Sequence, residues 1–192
     1  MAYPKNPIYH ETLVGDNPKQ WLLHGPTKLL LSTYHYHSPN VGVVASYTPK
    51  ERDVKDHFGI FRGVDQIESF ALATIASCGT YSQCKKQNCK PIDLRDDFVP
   101  VFTNVGSVTF HNYLEKGQTF INIGHIKRYK FRQMICDGRI YRVPPGFDLD
   151  EYFKNFTDER LLAYDLPKEF KLIAELFEVT GQAIKKEIFN SL

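Results

Sequence analysis

The sequence predicts an α+β fold in which an antiparallel sheet wraps around one buried helix. An apolar segment, Val64 to Tyr81, carries small or apolar residues on nearly every face, as an enclosed helix does. A series of strand-like segments follows, from Val101 to Val143. Two further strand-like segments precede the helix. This order of elements favours a sheet that surrounds a central helix.

Length and charge exclude several classes of protein. The 192 residues are 42% hydrophobic, which is enough to build one domain, 1–192, without disulfides or metal. With 24 Lys+Arg against 22 Asp+Glu, the net charge of +2 does not favour nucleic acid as a partner. No apolar run approaches the roughly 18 residues of a membrane helix, and no export signal is recognised. We therefore expect a cytoplasmic protein without a membrane span.

The two segments ahead of the helix, Lys28 to Tyr36 and Val41 to Tyr47, flank a turn signal and are expected to pair. His35 and His37 alternate along the first strand, so we expect them to share a partly exposed face. No carboxylate or cysteine follows at ligand spacing, so a metal site is not expected there. Four cysteines lack metal-binding spacing and are expected to be reduced thiols without a catalytic role: Cys78, Cys84, Cys89 and Cys136.

The later segments are expected to form an antiparallel meander. Its strands are predicted at 107–113, 119–130, 131–136 and 139–143, with turns at Glu115-Lys116-Gly117 and Asp137-Gly138. Asp-Gly between β-rich runs is a hairpin signal, because both central residues of a type I′ turn need positive φ.

From Pro144 onward the sequence is expected to be helical. Apolar residues in Leu166 to Leu192 recur at spacings of three and four, which predicts a helix with one docking face. The expected domain thus has a core over about 21–143 and added C-terminal helices over about 148–192.

The candidate chemistry lies around the start of the central helix. Glu68 is a carboxylate on an apolar helix, and His57 lies in the loop that leads through Gly59 and Gly63 into that helix. A histidine, a carboxylate and free N–H groups at a helix start can remove a proton beside a carbonyl and stabilise the oxyanion. The alternatives are an exposed glutamate on a helix end and a glycine that serves only helix entry.

At these residues the sequence resembles the 3-hydroxyacyl-ACP dehydratases of fatty-acid synthesis, which have the hot-dog fold. The resemblance rests on His57-Phe58, Gly63-Val64 and residues 66–68 (Gln-Ile-Glu), which open an Ala-rich helix as the family motif does. It extends less specifically over about 21–143, through 22–26, 29–31, 106–110, 115–119 and 138–141.

The resemblance implies a lyase that dehydrates 3-hydroxyacyl thioesters on acyl carrier protein to trans-2-enoyl thioesters. It implies that His57 takes the α-proton, Glu68 assists loss of the hydroxyl, and the Gly63 N–H, with Val64 beside it, binds the thioester oxygen. No cofactor or metal is implied. It also implies an obligate homodimer or an assembly of dimers, in which the histidine and the acid come from different subunits. The pathway, fatty-acid, polyketide or another, stays open.

The sequence departs from the family motif in the loop between His57 and Gly63. That loop is shorter, both motif prolines are missing, and Leu72 stands where the family commonly has Gln. A displaced base loses much of its rate advantage. Two alternatives therefore remain: a non-catalytic hot-dog protein that binds acyl thioesters or serves as a scaffold, and an acyl thioesterase.

Basic residues are concentrated late in the meander. The resemblance implies that Arg128, Arg132 and Arg139 form a patch that docks the acidic carrier protein or its phosphopantetheine arm. The alternative is a strand edge that its cations protect from pairing.

Overall fold

A computed structural model describes residues 11–22, 24–25 and 27–189. An antiparallel sheet of seven strands has the order β1-β2-β7-β8-β9-β4, with β5 also on β9, and β3 pairs separately with β6. The strands are β1 (Thr33–Ser38), β2 (Gly42–Tyr47), β3 (Ile60–Phe61), β4 (Phe98–Asn104), β5 (Ser107–Phe110), β6 (Leu114–Glu115), β7 (Phe120–Lys130), β8 (Gln133–Arg142) and β9 (Lys171–Lys185). The helices are α1 (Pro18–Trp21), α2 (Glu51–Val54), α3 (Gly63–Ala71), α4 (Gly79–Gln87), α5 (Pro91–Leu94), α6 (Leu149–Phe153), α7 (Asp158–Ala163) and α8 (Lys186–Phe189).

The central helix is confirmed and is longer than predicted. Helix α3 continues through a π-helical segment, Leu72–Cys78, directly into α4. Its inward face, which includes Phe70, Ala73 and Cys78, is buried against the concave face of the sheet. Because apolar residues surround it on most sides, the helix is the centre of the core.

Glycines let the sheet approach this helix closely. Gly124 on β7 and Gly138 on β8 lie directly opposite each other in register. A Cβ on Gly124 would overlap the side chain of Thr74, and one on Gly138 would overlap the ring of Phe70 and the carbonyl oxygen of Ile123. At Gly124 and Gly138, side chains of the helix therefore pack directly against the backbone of the sheet.

The predicted hairpin turn at Asp137-Gly138 is wrong. The chain reverses instead at Phe131 and Arg132, whose φ values are 52° and 63°. Strand β8 runs unbroken through Gly138, where its pairing with β9 shifts register. Gly138 is needed for contact with Phe70, and Asp137 accepts a hydrogen bond from the backbone N–H of Glu178 in that bulge (2.8 Å). Both residues thus serve the middle of the sheet rather than a turn.

The helix predicted for Leu166 to Leu192 is also wrong, although residues 190–192 lie outside the described residues. Most of that segment is β9, a 15-residue strand between β8 and β4. Two register shifts interrupt its pairing with β8, and Glu178 has a φ of 54°. These irregularities place Ile173, Leu176 and Val179 in the core at a spacing of three, which imitates a helical period. The core therefore extends beyond 143 to include β9.

Within the predicted C-terminal helical extension, the structure has three short helices, α6, α7 and α8. Helices α6 and α7 lie in the connection between β8 and β9 and cover the outer face of the sheet. Buried side chains of these helices and of the link between them, including Phe153, Phe156 and Leu161, pack with Val44 and Ile121 from the strands. The protein thus has three layers: the central helix, the sheet and this outer cover.

The prediction that His35 and His37 share an exposed face is wrong. The pairing of β1 with β2 shifts register between Tyr34 and Tyr36, and this bulge turns the two imidazoles to opposite faces. Both are buried. His35 contacts Asp150 of α6 on the outer face, whereas His37 packs edge-on against Tyr81 of α4.

His37 makes stability depend on pH. Burial lowers the pKa of His37 to about 4 from 6.5, and its Nδ1 accepts a hydrogen bond from the backbone N–H of Leu13 (3.3 Å). The unfolded chain therefore binds a proton more readily than the folded one, so stability is complete above pH 6.5 and is lost as pH falls toward 4. We expect a loss of about 3 kcal/mol over this range.

Thermal melts at stepped pH values measure this effect in the wild type and in His37→Phe, which keeps a ring against Tyr81 but cannot titrate. The variant should show a flatter profile than the wild type. His125→Gln on β7 is the control and should keep the wild-type slope. Equal slopes in wild type and His37→Phe would contradict the assignment.

Candidate active site

The candidate site begins in a tight loop between α2 and β3. The backbone N–H of Ile60 donates to the carbonyl of His57 (2.9 Å), and three residues have positive φ: Asp56 (61°), Phe58 (55°) and Gly59 (73°). Only one of them is a glycine. Positive φ at the other two costs free energy, and such backbone strain persists where surrounding structure imposes it. The loop thus holds His57 in a defined position.

The imidazole of His57 is oriented by its own loop. Its Nδ1 lies 3.2 Å from the carbonyl oxygen of Ile60, and the ring is half-buried. A carbonyl only accepts hydrogen bonds, so Nδ1 carries the proton and Nε2 keeps a lone pair. In the neutral ring, Nε2 is therefore the nitrogen available to act as a general base.

Helix α3 starts a few residues beyond this histidine, after the short strand β3. The side chain of Arg62, the N-cap residue of α3, makes no capping hydrogen bond. Its guanidinium instead forms two hydrogen bonds with Asp65 (2.6 and 2.9 Å). Within the described residues, the backbone N–H groups of Gly63 and Val64 have no acceptor. Two free donors at a helix N-terminus suit a developing oxyanion.

An aromatic ring lies over Gly63. A Cβ on this glycine would come within 2.8 Å of Cζ of Phe110, the last residue of β5. Phe110 has no local signal in the sequence, because its position over the helix start depends on the pairing of β5 with β9. Phe110, Val64 (63% exposed) and Phe58 (96% exposed) leave considerable apolar surface around the site.

Glu68 lies one turn further along α3 and is half-buried rather than enclosed. Within the described residues its carboxylate has no hydrogen-bond or ion-pair partner. No hydrogen bond joins Glu68 to His57 in this chain either. The structure thus brings His57, Gly63 and Val64 to one end of the helix and leaves Glu68 as an unpaired acid on the same helix.

Buried polar side chains, which were not predicted from the sequence, hold the start of the helix by hydrogen bonds. Nδ2 of Asn122 donates to Ser69 Oγ (2.9 Å), which donates to the carbonyl of Leu30 (2.7 Å). Nε2 of Gln66 donates to the carbonyl of Phe61 (3.2 Å). The only available signal was a polar residue within each apolar segment. These bonds fix the start of α3 against β3 and β7.

A second group of residues has the hydrogen-bond order of a hydrolase triad. His35 Nε2 lies 2.8 Å from Ser46 Oγ, and its Nδ1 lies 2.6 Å from Asp150 Oδ1. Ser46 is only 6% exposed, however, and lies in the middle of β2 beneath α6. The group therefore joins α6 to the sheet and does not form an active site.

The three arginines predicted to form one patch are not brought together. Arg128 is exposed near the end of β7, and Arg132 lies in the following turn with its guanidinium over the ring of Phe98. Arg139 lies within β8, paired with Glu175 (2.9 Å) and stacked on Tyr164. At about 3.3 Å per residue, Arg132 and Arg139 are roughly 20 Å apart along the strand.

No group of three or more histidine, cysteine, aspartate or glutamate side chains in the described part of the chain has metal-binding geometry. Among these same residues, no helix is long and apolar enough to span a membrane. All four cysteines are buried and free.

Comparisons with known proteins give structural matches only. No protein-family model matches the chain, and no curated protein matches it. The dehydratase heterocomplex ApeI:P of Xenorhabdus doucetiae matches with a TM-score of 0.61 and 14% identity, over 91% of this chain and 96% of that chain. A 1,4-dihydroxy-2-naphthoyl-CoA thioesterase of Synechocystis has a TM-score of 0.45 and 12% identity, over 74% and 81% of the two chains. The helix wrapped by an antiparallel sheet, together with the first of these matches, shows that the chain has the hot-dog fold.

Proposed function

We propose that this protein is a dehydratase that removes water from 3-hydroxyacyl thioesters. The observation that carries the proposal is the hydrogen bond from His57 Nδ1 to Ile60, which leaves Nε2 as a base in the loop that leads to the helix start, where the N–H groups of Gly63 and Val64 are free within the described residues. His57 takes the α-proton, and the two N–H groups stabilise the oxygen of the resulting enolate. An acid then protonates the leaving hydroxyl, and water departs as the double bond forms.

We assign this acid role to Glu68, supplied by a second copy of the chain. Glu68 is unpaired within the described residues and makes no hydrogen bond to His57 of its own chain. A homodimer has two supporting features. Strands β4 and β5 pair with β9 on one side only, which leaves an open sheet edge in the described part of the chain. Phe110 lies on this edge over the start of α3, where Val64 is also exposed, and such apolar surface is the kind that a partner covers.

The direct test supplies the purified protein with 3-hydroxyacyl thioesters of several chain lengths, on acyl carrier protein and on a soluble thiol. Mass spectrometry follows the loss of one water, and a thiol reagent follows hydrolysis. Loss of water without thiol release is the expected result. Thiol release would make the protein a thioesterase, and binding without either reaction would make it a scaffold; both results would contradict the proposal.

Delivery of the substrate on acyl carrier protein is a further part of the proposal. Arg128 is exposed, whereas Arg139 already pairs with Glu175. We therefore expect Arg128→Glu to weaken carrier binding about tenfold at low salt, because a charge reversal at an acidic interface replaces attraction by repulsion. Titration calorimetry against acyl carrier protein measures this. Arg139→Glu is the comparison and should have a smaller effect; equal affinities for wild type and Arg128→Glu would contradict docking at this end.

A further inference from the structure

A cavity of about 320 Å³ lies beside the C-terminal half of the central helix. Its walls come from the π-helical segment and α4, from α5, and from the ends of β4, β8 and β9. They include Trp21, Ile75 and Met134. The cavity is separate from the candidate active site, since Gly79 in its wall lies roughly 20 Å along the helix from Gly63. Its volume is at the lower end of the range for small-molecule sites.

The charged side chains that line the cavity are all cations, although Arg95 also pairs with its neighbour Asp96 (3.6 Å). Three cations line it, Arg95, Arg132 and Lys186, and no described lining residue is an aspartate or glutamate. The Arg132 guanidinium is held over the ring of Phe98, and its Nε donates to the carbonyl of Ala183 (3.2 Å). The remaining N–H groups of Arg132 suit an anion at the edge of an otherwise apolar space.

Two features of the cavity wall suggest a ligand: empty space next to a helical glycine, and a buried nitrogen atom without a hydrogen bond in the described part of the chain. Gly79 is helical, with a φ of −65°, and a Cβ there would meet no atom within 4 Å. A glycine inside a helix costs about 1 kcal/mol relative to alanine, and here no neighbouring group requires it. Nδ1 of His24, another lining residue, is buried and has no hydrogen-bond partner among the residues that the structure describes. The π-helical segment ends directly before Gly79, and such segments are frequent at functional sites.

We propose that this cavity binds a small amphipathic anion, an acyl or aryl chain that ends in a carboxylate or a phosphate. The chain occupies the space above Gly79 between Ile75 and Met134. The anionic group lies among Arg95, Arg132 and Lys186. This inference does not depend on the proposed dehydratase activity.

The chain contains one tryptophan, and it lines this cavity, so its fluorescence reports occupancy. Octanoate, octyl phosphate and octanol are titrated below their aggregation limits while the emission of Trp21 is followed. We expect saturable shifts with octanoate or octyl phosphate, and at least tenfold weaker binding of octanol. The relative affinity of the two anions distinguishes a carboxylate from a phosphate ligand.

Two variants locate the binding. Gly79→Leu fills the cavity from a helical position and should abolish the shift, whereas Gly79→Ala adds one methyl group and should retain it. Arg132→Gln should weaken anion binding at least tenfold, while Lys154→Gln, an exposed charge just beyond α6, should leave it unchanged.

Three results would overturn the inference: no shift with any probe, octanol binding as tightly as the anions, or full binding by Gly79→Leu. His57→Ala should bind the probes as the wild type does. A loss of dehydration in that variant is therefore separable from a loss of this site.

Discussion

Replacement of His57 by alanine is expected to lower kcat/KM for dehydration by about 10²–10⁴-fold, the usual contribution of a positioned general base. The imidazole is half-buried and makes one hydrogen bond, to the carbonyl of Ile60, so the fold should lose only about 1 kcal/mol. Single-turnover dehydration and a thermal melt measure the two effects separately. His125→Gln should retain activity.

A mixing experiment tests whether the site is shared between subunits. If His57 of one subunit works with Glu68 of the other, a heterodimer of His57→Ala and Glu68→Gln contains one intact site and one doubly altered site. Random exchange of subunits should then restore about a quarter of the wild-type activity. If both residues act within one chain, every site carries one defect and mixing restores nothing. The latter result would retain the roles and contradict the shared site.

The largest effect on stability is expected at Gly138. Alanine there would overlap the carbonyl oxygen of Ile123 and the ring of Phe70, neither of which can move without displacing the sheet or the central helix. We expect a loss of about 3 kcal/mol and a Tm lower by about 6–12 °C. Gly79→Ala is the matched control, since its methyl group enters open space in a helix and should raise Tm by about 2–4 °C.

Differential scanning calorimetry of the two variants tests whether position 138 requires glycine because a larger side chain would clash or because the backbone needs its freedom. A similar Tm for Gly138→Ala and wild type would mean that the sheet relaxes around the added methyl group. A loss of stability in both variants would instead indicate that helix and sheet tolerate no added volume on either side.

The predictions from sequence are correct for elements whose local residue pattern matches the structure they form in the folded protein. The central helix and the pair formed by β1 and β2 are confirmed, because a long apolar segment and two β-rich segments around a turn are direct local signals. Strand β9 was mistaken for a helix because its two bulges place core residues at a spacing of three. Asp137-Gly138 was mistaken for a turn because a glycine required by the Phe70 ring leaves the same local signal as one required by positive φ.

The sequence identifies candidate residues of the site, but it does not predict which side chains and backbone groups surround them. His57 and Gly63 stand out from sequence because of their motif and their nearness to a helix start. Phe110 over Gly63 and the tautomer of His57 depend on strand pairing and loop geometry, which spacing does not encode. The grouping of Arg139 with Arg128 and Arg132 failed for a related reason: strands extend about 3.3 Å per residue, so near neighbours in sequence are distant along a strand.

The position of β9 also bears on how the protein is made. Strands β4 and β5 have no partner in the sheet until β9, whose paired residues come roughly 60–90 residues later in the chain, and one edge of β8 stays open until the same strand is made. Closing so long a loop is slow, and unpaired strand edges attract other chains. During synthesis the growing chain therefore exposes unpaired edges of β4, β5 and β8 until β9 has emerged, and we expect it to depend most on chaperones in this interval.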